Sequence, residues 1–230
     1  MRAMILAAGR GERMRPLTDH TPKPLLDVAG TPLIGWHLRR LAAAGIREVV
    51  INHAWLGKQI EAALGDGGNY GLQIRYSPEA VALETAGGIA HALPLLGDAP
   101  FAVINGDIYT DYPFARLPLL AQNLPEGASA HLVMVGKPDY KTGTDLSLDA
   151  AGQVLPCEGE RVPLTFSGIA VYRPEFFAGI PADRPGPLLP LFLAAMRENR
   201  LHGERYDGQW LDVGTVERLE AARFAARRPG

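Results

Sequence analysis

Cysteine is almost missing from this chain. Cys157 is the single one in 230 residues, which excludes an intramolecular disulfide and a cysteine zinc site and fits a reducing compartment. Long apolar runs are missing too. The first, Ala3 to Ala8, stops at Gly9 and Arg10, too short for the core of a signal peptide. No stretch reaches the roughly 18 residues that a membrane span needs. Charge of one sign is not in excess: 23 Lys and Arg against 25 Asp and Glu leave a formal charge of -2, without the basic stripe of a nucleic-acid binder. The composition of a disordered chain is also absent, since 47% of residues are hydrophobic and 21% charged. The 26 glycines and 19 prolines are scattered rather than periodic, which excludes collagen-like and simple low-complexity chains. The expectation is a cytoplasmic globular protein, a monomer or weak homo-oligomer, with small-molecule partners and neither nucleic acid nor membrane.

What is present reads as an α/β chain. Met4 to Ala8 is apolar without alternation, as in a central parallel strand covered on both faces. Leu33, Trp36, His37, Leu41 and Ala44 recur at helical spacing, with Thr31 as the expected cap, Pro32 in the first turn and Gly45 as the stop. Strands are expected at 48–52, 73–76 and 101–105, with helices around Leu56–Leu64 and Gly88–Leu93 between them. Beyond about Asp111 the pattern loosens into strands at 130–135, 147–148, 165–172 and 201–206. Helices are expected at 187–197 and 216–226. The reading is one domain over 1–230.

Two places carry chemistry. Leu6-Ala7-Ala8-Gly9-Arg10-Gly11-Glu12-Arg13-Met14 sets two glycines just past a buried strand, where backbone N–H groups can approach a phosphate closely. The turn is neither a dinucleotide fingerprint, because Met14 stands where a third glycine is wanted, nor a Walker loop, because Gly-Lys-Ser/Thr is absent. Within the first 25 residues Arg2, Arg10, Arg13, Arg15 and Lys23 face Glu12 and Asp19, a local +3. Guanidinium forks and a compact ammonium suit a triphosphate, although a solvated charged loop has the same composition. Asn105-Gly106-Asp107 ends a buried strand, where ligands of open α/β sheets sit, and Trp210-Leu211-Asp212-Val213-Gly214 precedes a helix. Taken singly, Asp107 is a turn former and Asp212 a helix N-terminal charge; taken together, two carboxylates suit Mg²⁺. His53 invites the role of general base. We decline it, because a phosphate oxygen is already nucleophilic near neutral pH and needs positioning more than deprotonation.

With Thr21-Pro22-Lys23-Pro24-Leu25, the segment from Leu6 to Thr18 resembles the signature of the sugar-1-phosphate nucleotidyltransferases. The resemblance runs from Met4 to at least Thr215. It implies a Rossmann-like fold with a central mixed, mostly parallel sheet flanked by helices, and a reaction between a nucleoside triphosphate and a sugar 1-phosphate. It also implies a nucleotide-binding part at about 1–110 and a sugar-binding part at about 111–215. Leu6, Ala8, Gly9, Gly11, Glu12, Arg13 and Lys23 are then the expected triphosphate contacts. Glu84, Gly87 and Gly88, within Leu83-Glu84-Thr85-Ala86-Gly87-Gly88, are the expected base contacts, with Ala86 where a glycine is common. Asp107 and Asp212 are the implied Mg²⁺ ligands, Arg13, Lys23 and Asp107 the implied catalytic set, and Asn105, Asp145, Glu158, Ser167 and Gly168 the implied sugar contacts.

Ile51 to Gly57, Asn105 to Leu117 and Leu164 to Ile169 are similar to one subgroup, uridylyltransferases that use UTP and N-acetylmuramate 1-phosphate in cell-wall recycling. The chain departs from the family at Cys157-Glu158-Gly159-Glu160, where Glu-Lys-Pro is common. The muramate lactyl group wants a cation or hydroxyl, for which Lys141, Thr142, Arg161, Thr165 and Ser167 are candidates. The bland reading makes them solvated loop and strand residues. No left-handed β-helix extension is expected after the last helix. The rivals are the same chemistry on GTP with mannose 1-phosphate or on dTTP or UTP with glucose 1-phosphate, and a silent nucleotide-sugar binding subunit.

Overall fold

The computed structural model describes residues 1–227. Its elements in chain order are β1 (Arg2–Leu6), α1 (Leu17–His20), β2 (Asp27–Val28), β3 (Thr31–Pro32), α2 (Leu33–Ala43), β4 (Glu48–His53), α3 (Gly57–Leu64), β5 (Gln73–Pro78), α4 (Glu84–Leu96), β6 (Phe101–Asn105) and β7 (Ile108–Thr110). There follow α5 (Arg116–Gln122), β8 (Ala130–Gly136), β9 (Leu146–Leu148), β10 (Val154–Pro156), β11 (Leu164–Tyr172), α6 (Leu189–Arg197), β12 (Leu201–Arg205), β13 (Trp210–Asp212) and α7 (Val216–Ala226). The last residues of the expected 1–230 unit, 228–230, lie outside the described part.

The central sheet has nine strands. β6, β1, β4 and β5 run parallel side by side, β11 lies antiparallel against β6, and β8 with β12 extends the sheet beyond β11. Only β11 and β10 oppose the common direction, so the mixed, mostly parallel sheet expected from the sequence is present.

Both faces of the sheet are covered, which explains the unalternating apolar run of β1. Ala3 and Ile5 face Leu38 and Leu41 of α2 and Ile60 of α3, while Met4 faces Ile89 and Leu96 of α4. Each buried Leu or Ile side chain of this kind contributes about 1.5–3 kcal/mol. A third cluster, Met14, Val28, Leu33, Tyr109, Val213 and Leu219, packs the glycine-rich turn against the small ribbon of β7 and β13 and against α7. Among the described residues, no helix is long and apolar enough to cross a membrane.

Three local expectations need correction. Thr31 does not cap α2: Pro32 holds that position, and the Thr31 hydroxyl instead accepts a hydrogen bond from Arg39 at 3.0 Å. β1 ends at Leu6, so Ala7 and Ala8 belong to the turn. α4 starts at Glu84 rather than Gly88, because residues 184–186 dock on its first turn, where Gly186 accepts from the Ala86 N–H at 2.9 Å. The β7–β13 ribbon was not legible, since strands of three residues carry no periodic signal.

Candidate active site

The parallel strands of the sheet end together, and a cleft of about 360 Å³ opens where β1, β4 and β6 finish. Leu6 and Asn105, which close β1 and β6, and Asn52, one residue before the end of β4, form its floor. One wall is the glycine-rich turn, with Ala8, Gly9, Gly11, Glu12 and Arg13. The other is the start of α4, with Ala82, Glu84 and Thr85. Gly11 has φ +71, and a Cβ there would stand 2.9 Å from Thr18 Cγ2. Only glycine turns the chain this sharply against α1.

Charge in the cleft and just beside it is arranged in pairs; Lys23 and Asp107 line the cleft, whereas Asp212, Lys141 and Arg218 stand outside its lining. Lys23 is 7% exposed, and its Nζ lies 2.7 Å from Asp107 Oδ2. Asp212 Oδ2 meets Lys141 Nζ at 3.1 Å and Arg218 Nη1 at 3.3 Å. The Val213 N–H donates to the Asp107 carbonyl at 2.8 Å, which sets the two aspartates beside each other at the cleft end of β7 and β13. Gly214 closes the group, since a Cβ on it would lie 2.9 Å from both Arg13 Nη2 and Asp212 Oδ1. Arg13 makes no hydrogen bond or ion pair with another described residue and is free for a ligand.

Two carboxylates fit a magnesium-like ion. No group of three His, Cys, Asp or Glu side chains capable of holding a metal occurs among the described residues. An all-protein cage is therefore not built, whereas Mg²⁺ commonly takes one or two carboxylates and fills its remaining positions with water and substrate phosphate.

Other basic residues of the first segment are occupied elsewhere. Arg10 donates to the Thr18 carbonyl at 2.8 Å, pairs with Asp19 at 3.1 Å and stacks on Trp55. Arg15 also pairs with Asp19, and Arg2 bonds the Leu96 carbonyl and Glu48. The local +3 of the sequence thus reaches the cleft mainly through Arg13 and Lys23. His53 is committed as well: its Nε2 lies 2.8 Å from Glu61, and the Lys58 ammonium together with that ring holds the Glu61 carboxyl below its usual range.

Of the expected sugar contacts, Asn105 lines the cleft and also a neighbouring hollow of about 270 Å³. Thr144 and Thr165 contribute hydroxyls to that hollow, and Phe166, Leu188 and Phe192 form its apolar part. Gly168 (φ +86) lies under Asn105, where a Cβ would come within 2.7 Å of Asn105 Cγ. Ser167 is 1% exposed and bonds the β11 bulge, accepting from the Ile169 N–H at 3.2 Å. Asp145 pairs with Lys137 at 2.5 Å beside the hollow. Glu158 is exposed beyond β10, outside both cavities. Gly87 and Gly88 lie behind the second wall: a Cβ on Gly87 would strike the Arg184 carbonyl at 2.5 Å, and one on Gly88 would strike Glu79 and Asn52.

The sequence reading missed Asn52, Lys141 against Asp212, and Arg218. Asn52 carried a usable signal, as the last apolar-side position of a strand whose end faces the ligand side of an open sheet. Lys141 gave none, because Asp212, 71 positions away, becomes its neighbour only through the fold. Arg218 follows Asp212 by six residues in the first turn of α7, a local signal that the reading did not use.

Residues 2–143 match the family model described as "Nucleotidyl transferase". The chain is 59% identical over 227 residues to N-acetylmuramate alpha-1-phosphate uridylyltransferase of Neisseria meningitidis serogroup B, covering 98% of each chain. It is 39% identical to the protein of that name from Caulobacter vibrioides, covering 96% of this chain and 94% of the other. A mannose-1-phosphate guanyltransferase of Hypocrea jecorina is 30% identical, with 93% of this chain and 61% of the relative aligned. In fold the chain is like a Bacillus anthracis protein assigned as a glucose-1-phosphate thymidylyltransferase (TM-score 0.87, 21% identity, 100% of this chain and 96% of the other). It is also like HddC from Yersinia pseudotuberculosis in complex with GMP-PN (TM-score 0.79, 19% identity, 98% and 99%). A glycine-rich turn, a buried lysine against a strand-end aspartate and these similarities lead to one conclusion: the chain belongs to the nucleotidyl transferase family.

Proposed function

We propose that the chain transfers the uridylyl group of UTP to N-acetylmuramate α-1-phosphate, giving UDP-N-acetylmuramate and pyrophosphate in cell-wall recycling. The observation that carries the transfer chemistry is the buried Lys23 ammonium, 2.7 Å from Asp107 and lining the same cleft as the glycine-rich turn. The choice of substrates rests on the 59% identical relative, whose similarity spans both chains almost end to end. One continuous sheet carries strands from both halves, which supports reading the chain as a single unit. Its nucleotide part is about 1–110 and its sugar part about 111–215.

An oxygen of the sugar phosphate forms a bond to the α-phosphorus of UTP. The bond from that phosphorus to the β-phosphate oxygen breaks, and its electron pair leaves with pyrophosphate. Backbone N–H groups from Ala8 to Gly11 and the Arg13 fork hold the triphosphate. Lys23 places a positive charge where negative charge grows at the α-phosphate, and its buried setting makes that charge effective. Glu84 and Thr85 face the base, and Asn105, with the hydroxyls of Thr144 and Thr165, faces the sugar. Asp107 and Asp212 would hold Mg²⁺, which when bound supplies charge neutralisation between the two phosphates. No general base is required, and His53 remains bound to Glu61 in the core.

Pyrophosphate release from each pairing of UTP, GTP or dTTP with N-acetylmuramate, N-acetylglucosamine, mannose or glucose 1-phosphate tests this reading. UTP with N-acetylmuramate 1-phosphate is expected to give the highest kcat/KM, at least about tenfold above N-acetylglucosamine 1-phosphate, or ~1.4 kcal/mol. Equal values for these two sugars would overturn the muramate assignment and leave nucleotidyl transfer standing. No release from any pair would overturn the enzyme reading in favour of a silent binding subunit.

A further inference from the structure

The two walls of the cleft come from distant parts of the chain, yet one short hydrogen-bonded path connects them. The Ala7 N–H, at the root of the glycine-rich turn, donates to Asn52 Oδ1 at 2.9 Å. Asn52 Nδ2 donates to Glu79 Oε1 at 2.6 Å, and the Leu83 N–H, at the root of the other wall, donates to Glu79 Oε2 at 2.8 Å. Asn52 and Glu79 are 2% and 6% exposed, so water offers no easy substitute partner. Gly88 explains itself here: a Cβ would come within 2.7 Å of Glu79 Oε1 and 2.9 Å of Asn52 Nδ2. The glycine leaves room for this pair.

We propose that Glu79 is a positioning residue that fixes both walls of the nucleotide cleft through Asn52. The argument is one of direction. Both Glu79 oxygens accept, so Asn52 must turn its NH₂ toward Glu79 and its oxygen toward Ala7. With the Ala7 peptide held in that sense, the turn keeps the shape that presents Ala8 to Gly11 to the cleft. The same carboxylate anchors Leu83, just before Glu84, whose φ of +57 is rare for a residue with a side chain and needs such support. The kinetic consequence rests on reading the cleft as the UTP site; the hydrogen-bond path does not.

Glu79→Gln has nearly the same shape but only one acceptor for two donors. Its oxygen can serve Leu83, so that Asn52 flips and loses Ala7, or serve Asn52 and abandon Leu83. Adding Asn52→Asp reverses the middle bond and restores all three with the pair's charge unchanged. The test is amide hydrogen exchange by NMR on the full chain without nucleotide, with UTP kinetics alongside. In Glu79→Gln the Ala7 or the Leu83 amide is expected to exchange about tenfold faster and the UTP KM to rise about tenfold, with kcat changed less. In Asn52→Asp/Glu79→Gln both amides are expected to return toward wild-type protection. Recovery of a folded double variant where Glu79→Gln alone does not fold supports the path equally. Unchanged exchange at both amides in Glu79→Gln, a UTP KM within about twofold of wild type, or a double variant no better protected or folded than the single one would each overturn the proposal. Because the exchange measurement needs no substrate, its failure is distinct from a failure of the uridylyl-transfer reading.

Discussion

The two halves of this molecule, proposed above as its nucleotide part and its sugar part, are built on different plans. In the first, most of the groups that face the cleft stand at or just beyond the ends of buried parallel strands, with Lys23 brought in by the segment after α1. Leu6, Asn52 and Asn105 are neighbours because β1, β4 and β6 are paired in register. In the second, the hollow beside Asn105 is walled by the bulged strand β11, by residues just before β9 and by the start of α6. Its threonines, Thr85, Thr144 and Thr165, come from different elements, and Asp145, between the lining residues Thr144 and Leu146, is paired with Lys137. A site set by strand ends is nearly fixed once the sheet forms. One set by loops and a bulge is free to vary, which suits phosphate handling in the first half and sugar selection in the second.

The largest expected effect falls where the halves meet. Asp107 follows β6 and Asp212 ends β13, so the two carboxylates join the plans across the β7–β13 ribbon. Asp107→Asn and Asp212→Asn are each expected to lower turnover by about 10²–10³, or roughly 3–4 kcal/mol of barrier, with thermal stability largely kept. Wild-type pyrophosphate release by both variants in Mg²⁺ would dissolve the junction. Next, Lys23→Ala is expected to lower kcat by about 10–10² while changing the UTP KM less, since its charge matters most in the transition state. An unchanged kcat would make Lys23 a support for the loop alone.

Gly168→Ala sharpens the comparison from the sugar side. A Cβ at φ +86 and 2.7 Å from Asn105 is expected to cost about 1–3 kcal/mol, visible as a melting midpoint lower by about 3–10 °C. The KM for the sugar phosphate should rise more than that for UTP; the opposite order would show that β11 serves the nucleotide. The smallest effect is expected for Glu158→Ala. This side chain is exposed outside both cavities, and kcat/KM for both substrates should stay within about twofold. A tenfold loss on the sugar phosphate would mean that residues 157–163 close over the substrate.

The difference in plan also explains what the sequence disclosed. An apolar run broken by two glycines states a buried strand and a tight turn in one short window, so the first wall was legible residue by residue. Lys23, fixed between Pro22 and Pro24, was legible through its own neighbours as well. Glu84 was marked as a base contact and does line the cleft, although nothing local announced that it adopts a left-handed backbone at the start of α4. The excess of arginines in the first segment was read as one cluster, and the fold divides it. Asp19, the Leu96 carbonyl and Trp55 take Arg15, Arg2 and Arg10 away from the cleft, because salt bridges and stacking depend on where side chains meet rather than on local charge counts.

By itself the sequence determined the α/β class, the glycine-rich turn and the place of Asp107 just past a buried strand, which follow from hydropathy period and glycine freedom. The joining of Asp107 and Asp212 with Lys23 and Arg13 into one expected site came from the family resemblance, because each residue taken singly has an ordinary local reading. Only the tertiary structure decided which cations remain free for a ligand, that Lys141 and Arg218 gather on Asp212, and that Asn52 and Glu79 bind the cleft walls together. Asn52 and Glu79 are 27 positions apart and Lys141 and Asp212 are 71, while Arg218 follows Asp212 by only six but stands on a separate element, α7. A hydrogen bond of 2.6 Å or an ion pair of 3.1 Å is decided by the packing that brings such residues together, which no local pattern records.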